Sequence, residues 1–189
     1  MEVYGRKKRG IAYNHQGQRV GRPHVAAWAE TEIVLAADLG TGTDDPRASA
    51  ADLMRRALAC MPQRAREGRR VALRADAGYF AGQLARAAHD EHIFFAIGAR
   101  QIAPLWRLLD GIAEEDWRDA IEMDNAQVTV ADYRPDWWPA NAALLIRPGP
   151  AGTGAGLGRP AVAAAPHPAP RPARPADPRA RQCRCHLRL

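Results

Sequence analysis

Every Trp, Tyr and Phe of this chain lies at or before Trp138. Residues 150–189 hold eight of the 15 prolines, ten alanines and four branched aliphatics. A segment of that composition cannot bury enough apolar surface to offset the entropy of ordering it. A folded core must therefore come from residues 1–149, and residues 150–189 are expected to be a disordered Pro/Ala/Arg-rich tail. Two origins fit that tail on composition: a natural linker, or an end translated out of frame from GC-rich DNA.

Charge divides at the same place. Seven of the 27 Lys and Arg but one of the 21 Asp and Glu lie in residues 150–189, which leaves 20 against 20 in residues 1–149. The whole net charge of +6 belongs to the tail, so a basic isoelectric point is no argument that the folded part binds DNA. Within that part, Arg6, Lys7, Lys8, Arg9, Arg19 and Arg22 face Glu2 alone in residues 1–24. Such a cluster is either a solvated face or a phosphate-binding patch. No signal peptide or membrane-spanning apolar run is present, so a cytoplasmic protein with no membrane partner is expected. The three cysteines suit a reducing compartment. Cys60 falls in an apolar helical pattern and reads as core. Cys183-Arg184-Cys185-His186 resembles a metal motif but lacks the second ligand pair that structural zinc requires.

The first 149 residues read as alternating elements. Short strands are expected at 2–5 and 11–15, and a buried strand over 31–38 ends in the glycine loop of Gly40 and Gly42. Asp45 can cap a helix that has Pro46 at its first position. That helix places Leu53, Ala57, Leu58 and Met61 on one face. Val71, Leu73 and Ala75 alternate into Asp76, a helix follows over 80–91, and Ile93 to Ile97 forms a strand stopped by Gly98. Beyond it, residues 101–110 read as helix, 127–133 as strand, and Pro135 to Pro139 as a rigid turn. Three strands before the first helix imply a mixed sheet in an α/β fold.

Two loops carry chemistry. Asp76 at the carboxyl end of a buried strand, before Ala77-Gly78, is placed where open α/β sheets bind ligands, or else it is a turn cap. Ile33 to Thr43 resembles the glycine loop of methyltransferases that use S-adenosylmethionine. Asp44 and Asp45, however, put negative charge where such a loop offers backbone amides, which favours an ordinary strand-to-helix connection.

A wider set of motifs points to one family. Val3-Tyr4-Gly5, Tyr13 to Arg19, Gly21-Arg22-Pro23-His24, Ala36-Ala37-Asp38, Asp44-Asp45-Pro46-Arg47, Arg74 to Phe80 and Phe95 to Arg100 occur in the order found in bacterial insertion-sequence transposases of the DDE class. The likeness spans residues 2 to about 146 and resembles the family's group 1 DDE domain. It implies an incomplete ribonuclease-H-like core over 1–100, the start of an insertion region over 101–149, and the tail over 150–189. It implies cutting and joining of DNA at transposon ends by metal-dependent phosphoryl transfer, with Mg2+ as cofactor and DNA as partner; members of the family can act as oligomers. In that chemistry three carboxylates hold two divalent ions roughly 3.5–4 Å apart. By the resemblance, Asp76 is the second carboxylate, both catalytic and metal-binding, and Lys7, Lys8, Arg19 and Arg22 lie beside the site as DNA contacts. The first carboxylate is expected before Met1 and the third after the point where the likeness dissolves, near Leu145-Ile146-Arg147. The composition shifts at that same point, which favours the out-of-frame origin of the tail. The chain is therefore expected to be truncated and inactive. The alternatives are a methyltransferase and a non-catalytic DNA-binding module.

Overall fold

The computed structural model describes residues 9–14, 16–66, 70–100, 102–120, 126–131, 133–147, 161–166 and 184–189. The expected strand at 2–5 lies outside them. The chain divides into two compact units, residues 1–74 with 182–189, and residues 75–181.

The first unit opens with a hairpin of β1 (Ala12–Tyr13) and β2 (Arg19–Val20). Its turn is closed by Asn14, whose Oδ1 accepts from the N–H groups of Gln16 and Gln18 at 3.0 and 2.9 Å. Asn favours such turns because its side chain mimics a backbone acceptor. Next, β3 (Arg22–Trp28) pairs antiparallel with β4 (Ile33–Gly40). β3 has weak alternation and a proline at position 23, so no strand is expected there from the sequence. The pairing of Pro23 with Leu39 across the sheet is nonetheless compatible, because a proline lacks only a donor.

The helix α1 (Pro46–Cys60) begins where the sequence places it. Asp45 caps it by accepting from Arg47 N, and Pro46 occupies the first turn, where its missing N–H costs nothing. Its buried face includes Leu53, Met54, Ala57 and Leu58, and it packs on β3 and β4. Burial of each Leu or Met contributes roughly 1.5–3 kcal/mol. Cys60 is exposed rather than core, since it falls outside the face that Leu53, Ala57, Leu58 and Met61 bury. A single turn, α2 (Gln63–Arg66), then precedes β5 (Arg70–Ala75).

In the second unit, a 3-10 turn over Ala77–Tyr79 leads to α3 (Gly82–Asp90) and β6 (Phe94–Gly98). After α4 (Ala103–Leu109) come β7 (Arg118–Asp119), β8 (Gln127–Ala131) and β9 (Ala142–Arg147), paired antiparallel in series. Leu84 and Ala88 of α3, Phe95 and Ile97 of β6, and Leu144 and Ile146 of β9 are buried. Alternate residues of β9 are buried, as a strand with one covered face requires.

The tail corrects the expectation of disorder at two segments. Ala161–Pro166 forms β10, antiparallel to both β6 and β9, and Arg184–Arg188 forms β11, antiparallel to β3 and parallel to β5. The first unit thus has the order β4-β3-β11-β5 and the second β6-β10-β9-β8-β7. Composition predicted otherwise because it weighs side chains, whereas a strand between two others is held by backbone groups that every residue except proline supplies in full. The fold is mixed α/β, and its pairing is both parallel and antiparallel.

Candidate functional site

Asp76 follows the last residue of β5 and is exposed. Its Oδ1 accepts from Gly78 N at 2.7 Å, which caps the 3-10 turn. The cap reading of the sequence is the one observed: one oxygen serves the turn, while the residue stays at the surface. Gly98, which ends β6, lies against this turn; a Cβ there would meet Ala77 N at 2.9 Å. Only a glycine lets the two backbones approach this closely. Tyr79 is buried behind the turn, and burial, then the Asp76 charge, raise its hydroxyl above the ordinary tyrosine range.

An aromatic cluster supports this turn. Phe80 meets Trp137 and Trp138 edge-on at centroid distances of 5.4 and 6.0 Å, and Tyr133 meets Trp138 at 5.4 Å. Arg86 of α3 donates to the Trp137 carbonyl at 2.8 Å. A Cβ on Gly82 would meet Trp137 Cε3 at 2.9 Å. The rigid Pro135–Pro139 turn therefore spends its apolar surface on the segment that presents Asp76. The sequence showed that surface but not its destination, which is set more than 50 residues away in the chain.

The glycine loop after β4 is sealed by its own acceptors. Asp44 accepts from Thr41 N at 2.6 Å and from Thr41 Oγ1 at 2.5 Å. Gly42 N donates to Gly10 O, Asp44 N to Thr41 O, and Arg47 N to Asp45. The Thr41 bonds, aided by the charges of His24 and Arg22, hold the Asp44 carboxyl below its usual range. An anionic ligand would have to displace these bonds as well as face two carboxylates, which is the physical objection to a cofactor cradle here.

Of the expected DNA contacts, Lys7 and Lys8 lie outside the described residues. Arg19 is half-buried in β2, and Arg22 is exposed in β3 and donates to the Asp44 carbonyl at 3.0 Å. Arg22 thus also fastens the loop, a role its sequence position did not suggest. The sequence also missed Arg56, which pairs with Asp38 and, at 2.8 Å, with Asp52. The Asp52–Arg56 spacing of four residues on α1 was the available signal.

A magnesium centre would need oxygen ligands converging on one point. Among the described residues, no three of His, Cys, Asp or Glu come together to hold a metal ion. Asp76 also has one oxygen committed to Gly78. These residues do not fit a two-ion centre. Cys183 of the metal-like tail motif lies outside the described residues, and Cys185 and His186 fall in β11. Among the described residues, no helix is long and apolar enough to cross a membrane. Comparison with protein-family models, curated proteins and solved structures finds no match.

Proposed function

We propose that the chain is a relative of the DDE transposases that has kept a ribonuclease-H-like frame and a DNA-facing surface but, as it stands, does not cut or join DNA. The observation that carries this reading is Asp76 itself. It sits directly after a strand, exposed, in the Arg74-to-Phe80 motif of the resemblance, yet among the described residues no group of three His, Cys, Asp or Glu comes together to hold a metal ion. Two-metal phosphoryl transfer depends on fixed ligands on both sides of the scissile phosphate, so one such carboxylate does not support it.

The order of strands and helices from β3 to β6 supports the same family reading. Arg19 and Arg22 supply basic side chains for phosphate contact, which gives binding without base readout and with strong salt dependence. Arg22→Ala is expected to weaken binding uniformly across DNA sequences and to reduce the salt slope by about one. Binding must be measured beside a chain whose seven tail arginines are replaced, so that the tail is not credited to the folded part.

The deciding assay incubates the purified chain with duplex DNA and magnesium or manganese, with Asp76→Ala as control. No strand cleavage is expected from either protein. Cleavage that vanishes in Asp76→Ala would establish a complete catalytic site and overturn the inactive reading. The methyltransferase alternative is tested by calorimetric titration with S-adenosylmethionine, where no binding at micromolar cofactor is expected.

A further inference from the structure

The strand β11 is held in the first unit by an unusual arrangement. It lies between β3 and β5, yet more than 100 residues separate it from either in the chain. Its register with β5 runs unbroken from Arg184↔Arg70 to Arg188↔Arg74, and Leu189 N continues the contact by donating to Arg74 O at 2.8 Å. On the other side it pairs with β3 at Leu187↔Trp28 and Arg188↔Ala27. Leu187 is fully buried and stands in register with Leu73, also fully buried. Arg188, next to it, is exposed. The strand therefore meets its slot as a bound peptide does, through a backbone ladder and one apolar anchor.

The rest of the first unit is continuous. β3, β4, α1 and β5 fall within residues 22–75, and α1 packs on β3 and β4 with Leu53 and Met54 fully buried. By contrast, β11 is attached through residues 167–183, a stretch rich in Pro, Ala and Arg. Seventeen residues can span at most about 55–60 Å, an upper limit that leaves room for exchange between copies.

We propose that the slot between β3 and β5 is a strand-acceptor groove, which takes residues 184–189 of its own chain or, by exchange, the same residues of a second copy. Recognition comes from the backbone edges of β3 and β5 and from the pocket that Leu187 fills. Exchange of one identical element between copies is a low-cost route to a dimer, since no new interface chemistry is needed. The tethered strand competes at an effective concentration on the order of millimolar, so free peptide at micromolar levels should not displace it.

The test uses the full chain with Leu187→Asp, which places a charge in the pocket, and a synthetic peptide of residues 182–189 under reducing conditions. The variant is expected to melt at a lower temperature than the wild type. The peptide should restore its midpoint, and a peptide carrying the same Leu187→Asp change should not. The variant should also bind labelled peptide at least about tenfold more tightly than the wild-type chain, whose own strand competes. If the variant is insoluble, two differently tagged wild-type copies are incubated together at high concentration and separated. Co-purification that millimolar peptide abolishes supports exchange. A variant that melts like the wild type, a variant that the peptide does not rescue, or tagged copies that never co-purify would each overturn the proposal.

Discussion

After β4, Asp44 takes two hydrogen bonds from Thr41, and Asp45 takes one from Arg47 N together with an ion pair to the Arg47 side chain. After β5, the Asp76 carboxylate takes a hydrogen bond from Gly78 N. Both loops connect a strand to a helix, and both place aspartate at the turn. The first fills its amides with its own acceptors and is locally closed. The second leaves its carboxylate exposed and relies on Phe80, Trp137 and Trp138 packed behind it. A loop closed by its own side chains has little left with which to hold a ligand, whereas a loop braced from behind keeps its polar group available. That contrast is why Asp76, rather than the glycine-rich stretch, is the residue to test.

The largest expected effect lies in the brace. Trp138→Ala removes a buried ring from the cluster and should cost about 3–5 kcal/mol in denaturant unfolding. If it costs no more than a surface substitution, the second junction is not braced in this way. A smaller effect is expected at the first junction. A Cβ on Gly42 would meet Ala12 Cβ at 2.6 Å and Val20 O at 2.7 Å, so Gly42→Ala should cost about 1–3 kcal/mol through overpacking. By comparison, a Cβ on Gly78 would meet within 3 Å only the Asp76 carboxylate, which can rotate away.

Asp44 sharpens the comparison through pH. Its folded-state pKa is lowered, chiefly by the Thr41 bonds, so the stability it contributes is present above the ordinary value of 3.8 and is lost as pH falls below it. Thermal melts of wild type and Asp44→Asn should therefore differ at neutral pH and converge in acid below that value. A constant gap would mean that the carboxylate charge does not hold the loop. The smallest effect concerns Tyr79. Asp76→Asn should lower its raised pKa only in part, because burial is the larger cause and the Asp76 charge the lesser. Ultraviolet titration of the tyrosinate measures this, and an unchanged titration would place the Asp76 charge too far from Tyr79 to act on it.

What the sequence determined by itself is local. Asp45-Pro46 and the spacing of Leu53, Ala57 and Leu58 marked the start and the buried face of α1, because capping and 3.6-residue periodicity act over a few neighbours. The alternation into Asp76 marked β5 and the residue that follows it, and the apolar run ending at Gly98 marked β6 within one residue. Tertiary structure alone decided the rest. It placed Trp137 and Trp138 against Phe80, turned Arg22 onto the Asp44 carbonyl, and drew β10 and β11 from a tail whose composition argues for disorder. The physical reason is that a strand between two others is stabilised by partners remote in sequence, through backbone groups that carry no residue signature. Periodicity and composition report what side chains prefer. They do not report which edges in the fold stand open to receive a strand.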